Sequence, residues 1–316
     1  MSKWVSNLAT YLERYVEMKT ALGFVYRSQT ECLLSFDRFC HKNFPAESTI
    51  TLEMAMAWVK QRSSQERNST SNARLSVLRQ FALYVRQTDP NCYVPDNSLR
   101  LKREQFVCHI ITDSEFSRFF KELDKMKSRP CLPFRAETYK EFFRLLYCTG
   151  LRSGEAVSLN RDHFDWSSNT VNILESKLHA KRVVALSTDL AQRLKAYDKS
   201  LPSERLSFFS FDGVKRPALN SFSECFQSLW SVANPNSSHV RLYDFRHTFI
   251  TKRILLWHQN KEPVREKLPY LMSFVGHKHI EDTLYYFRIV PELCGLFENP
   301  TEDLIPEFDE DAGRLA

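Results

Sequence analysis

The sequence predicts a mainly α protein with a small β-sheet, built as two lobes. An N-terminal four-helix domain is expected over residues 1–95, a linker over 96–111, a larger domain over 112–298 and an acidic tail over 299–316. Three observations predict this. Apolar residues recur at three- and four-residue spacing through most of the chain, which marks buried helix faces. Strand-like alternation is confined to residues 170–174 and 182–186. Turn signals (Thr88-Asp-Pro-Asn, Val94-Pro-Asp-Asn) and a basic run of Arg100, Lys102 and Arg103 separate the two helical regions.

In the first region, Val5, Leu8, Tyr11, Leu12, Tyr15 and Met18 form one stripe of a helix over 1–22, which Gly23 ends. A second helix runs from about Ser28, with Leu33, Leu34, Phe36, Phe39 and Cys40 apolar, and stops before Pro45. Thr51 opens a third helix, containing Met54, Ala55 and Trp58. The fourth, over 69–86, has Leu75, Leu78, Phe81, Ala82 and Val85 as its stripe, with Arg74, Arg79 and Arg86 off it. Four helices with short connections make a compact bundle. The polar stretch 61–72, with Arg62 and Arg67, reads equally as a loop laid on a phosphate backbone or as a solvated loop.

The second region opens at Thr112-Asp-Ser-Glu, a helix N-terminus. A helix from about Arg135 carries Phe142, Phe143, Leu145 and Leu146 and ends at Gly150, which places Arg152 in the turn before the next helix. The two alternating segments form a hairpin with Lys177 near its turn. Helices follow over 189–197, 221–232 and 243–257, and the last of these sets Tyr243, Arg246 and Ile250 one turn apart on a face. A short helix over 268–275 is capped by Gly276, so His277 emerges from its end. Tyr285 and Tyr286 sit on a further short helix.

Composition narrows the function. Seven glycines, no three in a GxGxxG or GxxxxGK pattern, argue against a nucleotide cradle. No apolar run reaches the length of a membrane span and the N-terminus lacks a signal-peptide core, so a soluble, cytoplasmic protein is expected. The eight cysteines form no CxxC pair and read as reduced core thiols. The net charge of +6 is unevenly spread: residues 289–316 hold eight acidic side chains and one basic one, which leaves +13 on residues 1–288 (43 basic against 30 acidic). A body that basic suits a polyanion, and double-stranded DNA is the default candidate.

The residue types then suggest phosphoryl chemistry. A phosphodiester gains negative charge in its five-coordinate transition state, and arginine offers a planar fork of donors that stays charged. Arg152 and Arg246 are the candidates. Lys177 can protonate a leaving 5′-oxygen, and Tyr286 can act as a covalent nucleophile. Neither a metal nor a nucleotide is required, so no cofactor is expected. Taken singly, each residue has an ordinary alternative: Arg152 a salt bridge with Glu155, Lys177 a surface lysine, His277 a helix cap, Tyr286 a core side chain.

The joint pattern decides between these readings. Thr149-Gly-Leu-Arg-Ser-Gly-Glu155, Ser176-Lys177, Tyr243-Asp-Phe-Arg-His247, Gly276-His277 and Tyr286 resemble, in order and spacing, the tyrosine recombinases of the lambda-integrase (phage integrase) family. The resemblance covers roughly residues 110–290. The N-terminal bundle looks like that family's core-binding domain, and the segments around Lys177 and Gly276-His277 look closest to integrase-like transposases of bacterial mobile elements. It implies a two-lobed DNA clamp, a C-terminal tyrosine recombinase catalytic domain and a homo-tetramer on paired sites, or a hetero-assembly with related recombinases. A C-terminal segment at about 289–305 would dock on a neighbour. By the same resemblance Arg152 and Arg246 clamp the phosphate, Lys177 is the general acid and His277 hydrogen-bonds the phosphate. Tyr286 forms a 3′-phosphotyrosine, its pKa lowered by the surrounding cations, and Glu155 orients the first arginine. One departure stands out: Tyr243 occupies the usual histidine position, where it would contact substrate as a donor. Two other readings are an impaired DNA-binding recombinase homologue and a type IB topoisomerase.

Overall fold

Twelve helices and three strands, besides short 3-10 turns, make up the described residues, and each follows from its local sequence. The computed structural model describes residues 3–61, 68–102, 108–174, 181–237 and 240–289. The chain divides into two compact units, Met1–Phe106 and Val107–Ala316.

The first unit holds α1 (Ala9–Ala21), α2 (Arg27–Asn43), α3 (Leu52–Lys60) and α4 (Asn68–Val85). Leu8, Leu12, Tyr15, Leu33, Phe36, Trp58, Leu78 and Phe81 meet in one apolar core. The expected first helix starts later than its stripe. Residues 3–8 run into α1 as an irregular segment, and the buried Asp37 of α2 holds them by accepting from Val5 N (2.7 Å), Ser6 N (3.0 Å) and Ser6 Oγ (2.6 Å). Thr51 caps α3 by accepting from Met54 N. Arg74 lies over the Trp58 ring at 3.9 Å and donates to Trp58 O and Gln61 O, so it braces α4 against α3.

The second unit is organised around α6 (Arg135–Thr149). Beside it lie α5 (Asp113–Asp124), α7 (Ser153–Val157), α8 (Thr188–Ser200), α9 (Leu219–Ala233) and α10 (Leu242–Gln259). The core is rich in rings: Phe119, Phe142, Phe143, Phe222, Phe226 and Phe245 pack mostly edge-to-face. Thr112 and Glu115 close a reciprocal capping box that starts α5 where the sequence places it. The sheet is antiparallel in the order β1 (Phe164–Asp165), β2 (Thr170–Leu174), β3 (Lys181–Ala185). Val171 pairs with Val184 and Ile173 with Arg182, so alternate side chains of the hairpin enter the core. Leu174 pairs with Lys181 at the end of the ladder; the connection 175–180, with Lys177, lies outside the described residues.

A second apolar cluster joins α10, α11 (Val264–Val275) and α12 (Glu281–Ile289) through Ile250, Ile254, Leu268, Leu271, Val275, Leu284, Tyr286 and Phe287. Helix α11 starts four residues before its expected position and accommodates Pro269 within its length. The cysteines need a correction: Cys40, Cys92, Cys108 and Cys225 are buried thiols, but Cys131 and Cys148 are exposed. Among the described residues no helix is long and apolar enough to cross a membrane.

Candidate active site

Two helix C-termini create the site. Helix α6 ends at Gly150 (φ +61°) and α11 at Gly276 (φ +71°), both left-handed caps of the kind glycine adopts without strain. A helix end leaves carbonyls without intrahelical partners and carries a partial negative charge. Here those carbonyls hold arginines. Arg246, on α10, donates from one terminal nitrogen to Gly150 O (3.1 Å) and from the other to Val275 O (2.6 Å). Arg152 donates to Gly276 O (2.8 Å). Both guanidiniums thus bind the end of α11, and Arg246 the end of α6 as well, although the two arginines are 94 residues apart in sequence.

Arg246 is only 1% exposed, and its buried Nε has no hydrogen-bond partner among the described residues. Burial, with Arg152 adding repulsion, pulls its pKa down to about 10, so it remains a cation at neutral pH. Arg152 is half-exposed and sits at the N-cap of α7. It donates to Glu155 Oε1 (2.8 Å), and its backbone N donates to Glu155 Oε2 (3.0 Å). Glu155 also accepts two bonds from Arg182 of β3 (3.1 and 2.7 Å), and Arg182 Nε donates to Phe274 O (3.1 Å). Burial works against ionisation of Glu155, but Arg182 and Arg152 outweigh it and hold the carboxyl below the usual carboxylate range. One carboxylate therefore ties β3, α7 and the end of α11 together.

His277 follows Gly276 directly. Its Nδ1 is 2.7 Å from Thr283 Oγ1, and its ring lies parallel to that of Tyr286 with centroids 6.2 Å apart. Burial, with repulsion from Arg246, pulls its pKa down to about 4, so it is neutral at pH 7. Tyr286 is 2% exposed, and its hydroxyl is 3.0 Å from His247 Nδ1. The expectation that clustered cations lower its pKa is corrected here: burial pushes the phenol well above its ordinary value, and Arg246 only partly offsets this. Tyr285 faces another way, with Cys108 as its hydrogen-bonding neighbour. Tyr243 is 42% exposed and meets the His247 ring edge-on, with centroids 4.9 Å apart.

The structure therefore brings Arg152, Arg246, His277 and Tyr286 into one cluster with Tyr243 at its edge, while Lys177 lies outside the described residues. Sequence reasoning gave no place to Arg182 or Thr283, and offered His247 only as a stand-in for the missing histidine at 243, about 100° around the helix from Arg246. Arg182 had a signal: a cation inside an otherwise apolar alternating segment. His247 had only the absence of a histidine at 243 to point to it, because its contact partner lies 39 residues further on.

Comparison with known proteins makes the assignment for this mainly helical scaffold and its cluster of two arginines, a histidine and a tyrosine. The model of the phage integrase family matches residues 110–292. A putative integrase/recombinase, y4rB of Sinorhizobium fredii (strain NBRC 101917 / NGR234), is 28% identical over 92% of this chain and 95% of its own length. The solved Tn1549 transposon integrase, in complex with transposon right end DNA, has a TM-score of 0.63 at 15% identity, covering 87% of this chain and 94% of that one. A lambda integrase tetramer bound to a Holliday junction has a TM-score of 0.66 at 13% identity, covering 88% and 76%. The chain belongs to the phage integrase family of tyrosine recombinases. It is a site-specific recombinase that binds DNA, cuts it and rejoins it.

Proposed function

We propose that Tyr286 is the nucleophile of this recombinase and that Arg152, Arg246, His277 and Lys177 complete its catalytic set. The observation that supports this most is Arg246. It is a buried cation fixed by two carbonyls with its Nε unpartnered, as suits a group awaiting an anionic oxygen. With a DNA phosphate in place, Arg152 and Arg246 hold the non-bridging oxygens and His277 adds a hydrogen bond. Tyr286 Oη bonds to phosphorus, the bond to the 5′-oxygen breaks, and Lys177 supplies the proton that lets it leave as an alcohol. The 3′-phosphotyrosyl link keeps the energy of the broken ester, so a new 5′-hydroxyl can reverse the step without metal or ATP. Tyr243 donates to a phosphate oxygen from the rim.

The same reading assigns residues 1–95 as a core-binding domain that contacts the duplex. The assembly is a homo-tetramer on paired sites, a proposal that the lambda integrase tetramer on a Holliday junction supports. The biological role is integration, excision or transposition of a mobile element, carried out on bacterial DNA in the cytoplasm. A second reading has one observation in its favour: Tyr243 stands where a histidine is usual, as in a homologue that binds DNA but no longer cleaves it. The test is covalent trapping on a nicked duplex carrying the recombination site, without metal or ATP. The recombinase reading expects a denaturant-resistant adduct that persists in Tyr285→Phe and disappears in Tyr286→Phe. Salt-sensitive binding with no adduct supports the second reading.

A further inference from the structure

Tyr286 must lose its phenolic proton as it bonds to phosphorus; Lys177, as the proposed general acid, enters that step already protonated, and the described members of the catalytic set named above provide no receiver. Arg152 and Arg246 are cations with no lone pair to offer. Tyr243 is a phenol. His277 commits its Nδ1 to Thr283 Oγ1 and stacks its ring on Tyr286 rather than pointing a nitrogen at Oη. Among the described residues, the neutral base that does meet Tyr286 Oη is His247, through Nδ1 at 3.0 Å.

We infer that His247 is a catalytic residue, the proton acceptor for Tyr286. Resting on the recombinase reading, the step balances as follows. His247 enters with its ring proton on Nε2, so that Nδ1 accepts the hydrogen bond from Tyr286. As the Oη–P bond forms, the phenolic proton moves to Nδ1 and His247 becomes an imidazolium. The P–O5′ bond breaks and the 5′-oxygen takes a proton from the general acid. In rejoining, a 5′-hydroxyl gives its proton to the now deprotonated general acid as it attacks phosphorus, the Oη–P bond breaks, and the imidazolium returns its proton to Tyr286.

The surroundings hold the pair in register. His247 is on α10 and Tyr286 on α12, and Ile250, Ile254 and Leu284 bury the contact between those helices. Tyr243, one turn before His247 on the same helix, packs edge-on against the imidazole. The departure at position 243 and the bond at 247 thereby explain each other: the histidine that the family resemblance leads one to expect at 243 is absent, and an imidazole one turn along reaches the nucleophile. The charged and titratable groups around His247 are Tyr243, Asp244, Arg241 and Arg246 on α10 or at its N-cap, Tyr285 and Tyr286 on α12, His277 after α11, and Cys108 ahead of α5, which neighbours Tyr285. Burial, with Arg241 and Arg246, outweighs the attraction of Asp244 and pulls the imidazole down to about 4. The proton-accepting form therefore prevails at neutral pH.

The test is single-turnover cleavage of a suicide duplex across pH 5–9 by the wild-type protein, His247→Gln and His247→Ala, with folding checked by thermal melting and binding by gel shift. General-base loss predicts a rate lower by on the order of 10²–10⁴-fold at pH 7 in His247→Gln. The deficit should shrink tenfold per pH unit as hydroxide takes over, and free imidazole should rescue His247→Ala. A His247→Gln protein that cleaves at the wild-type rate overturns the inference and leaves the recombinase reading intact. A deficit that is constant with pH, with no imidazole rescue, overturns it as well, because a purely structural loss gives that pattern. A wild-type protein that forms no adduct overturns both.

Discussion

Glu155 carries more of the site than its place in the sequence suggests. It accepts from Arg152 and Arg182 at once, and Arg182 in turn holds Phe274 O next to the Gly276 cap. Removing the charge leaves two guanidiniums competing for little. Glu155→Gln is expected to lower stability by roughly 3 kcal/mol, as when a buried pair loses one member. It should also slow cleavage by on the order of 10²-fold through misplacement of Arg152; denaturant melts and single-turnover rates check both. Two desolvated histidines, the buried His247 and the half-buried His277, weaken the fold at acid pH. Each has a folded pKa of about 4, against about 6.5 unfolded. Between those values the unfolded chain binds more protons, so stability falls as the pH drops from about 6.5 towards 4, by up to about 1.4 kcal/mol per pH unit for each histidine. Urea melts should show a plateau above pH 7 and a decline below 6.5, and His277→Gln should reduce the slope. At this scale Arg152, Arg246, His277 and Tyr286 were legible in the sequence, because short motifs at fixed spacing carry them. The His247–Tyr286 bond was not, since helix periodicity says which face a side chain occupies but not which distant element will cover it.

The elements that matter most are two helix endings. Gly150 and Gly276 let α6 and α11 stop in the left-handed conformation, which turns their last carbonyls onto Arg246 and Arg152. A Cβ at Gly276 would lie 2.7 Å from an Arg182 terminal nitrogen, and one at Gly150 would lie 2.6 Å from the Phe249 ring. Gly276→Ala therefore combines a backbone penalty of about 1–2 kcal/mol with displacement of Arg182, and should lower both the melting temperature and the cleavage rate. Gly154→Ala is the control: it has an ordinary φ, nothing lies within 4 Å of the added carbon, and stability should be unchanged or slightly higher. The glycine stops were visible beforehand because each follows an apolar helical run. Two features were not. Strand β1 is two residues long, too short to show a period. The first turn of α11 was missed because Val264-Arg-Glu-Lys267 carries a single apolar side chain and shows no stripe; Pro263 stands at its N-cap.

On the scale of the whole molecule, the division into a helical bundle and a larger unit could be read from the turn signals and basic run between residues 88 and 103, and the small sheet from the strand-like alternation that begins at residue 170. Sequence separation explains what could not be read. The site draws on α7, β3, α10, the end of α11 and α12, and only packing of the second unit brings these together. That packing also buries Tyr286, so the proposed nucleophile is a protonated phenol held by a neutral imidazole, in a place where the basic sequence alone suggested an activated one. The central claim is that this tyrosine forms the covalent bond to DNA. The most direct measurement is to trap the wild-type protein on a suicide duplex, digest the adduct with nuclease and protease, and identify by mass spectrometry the peptide that carries the nucleotide. The account predicts a nucleotide on Tyr286 alone. A nucleotide on Tyr285, Tyr243 or any other residue, or no adduct from protein that binds the site, would contradict it.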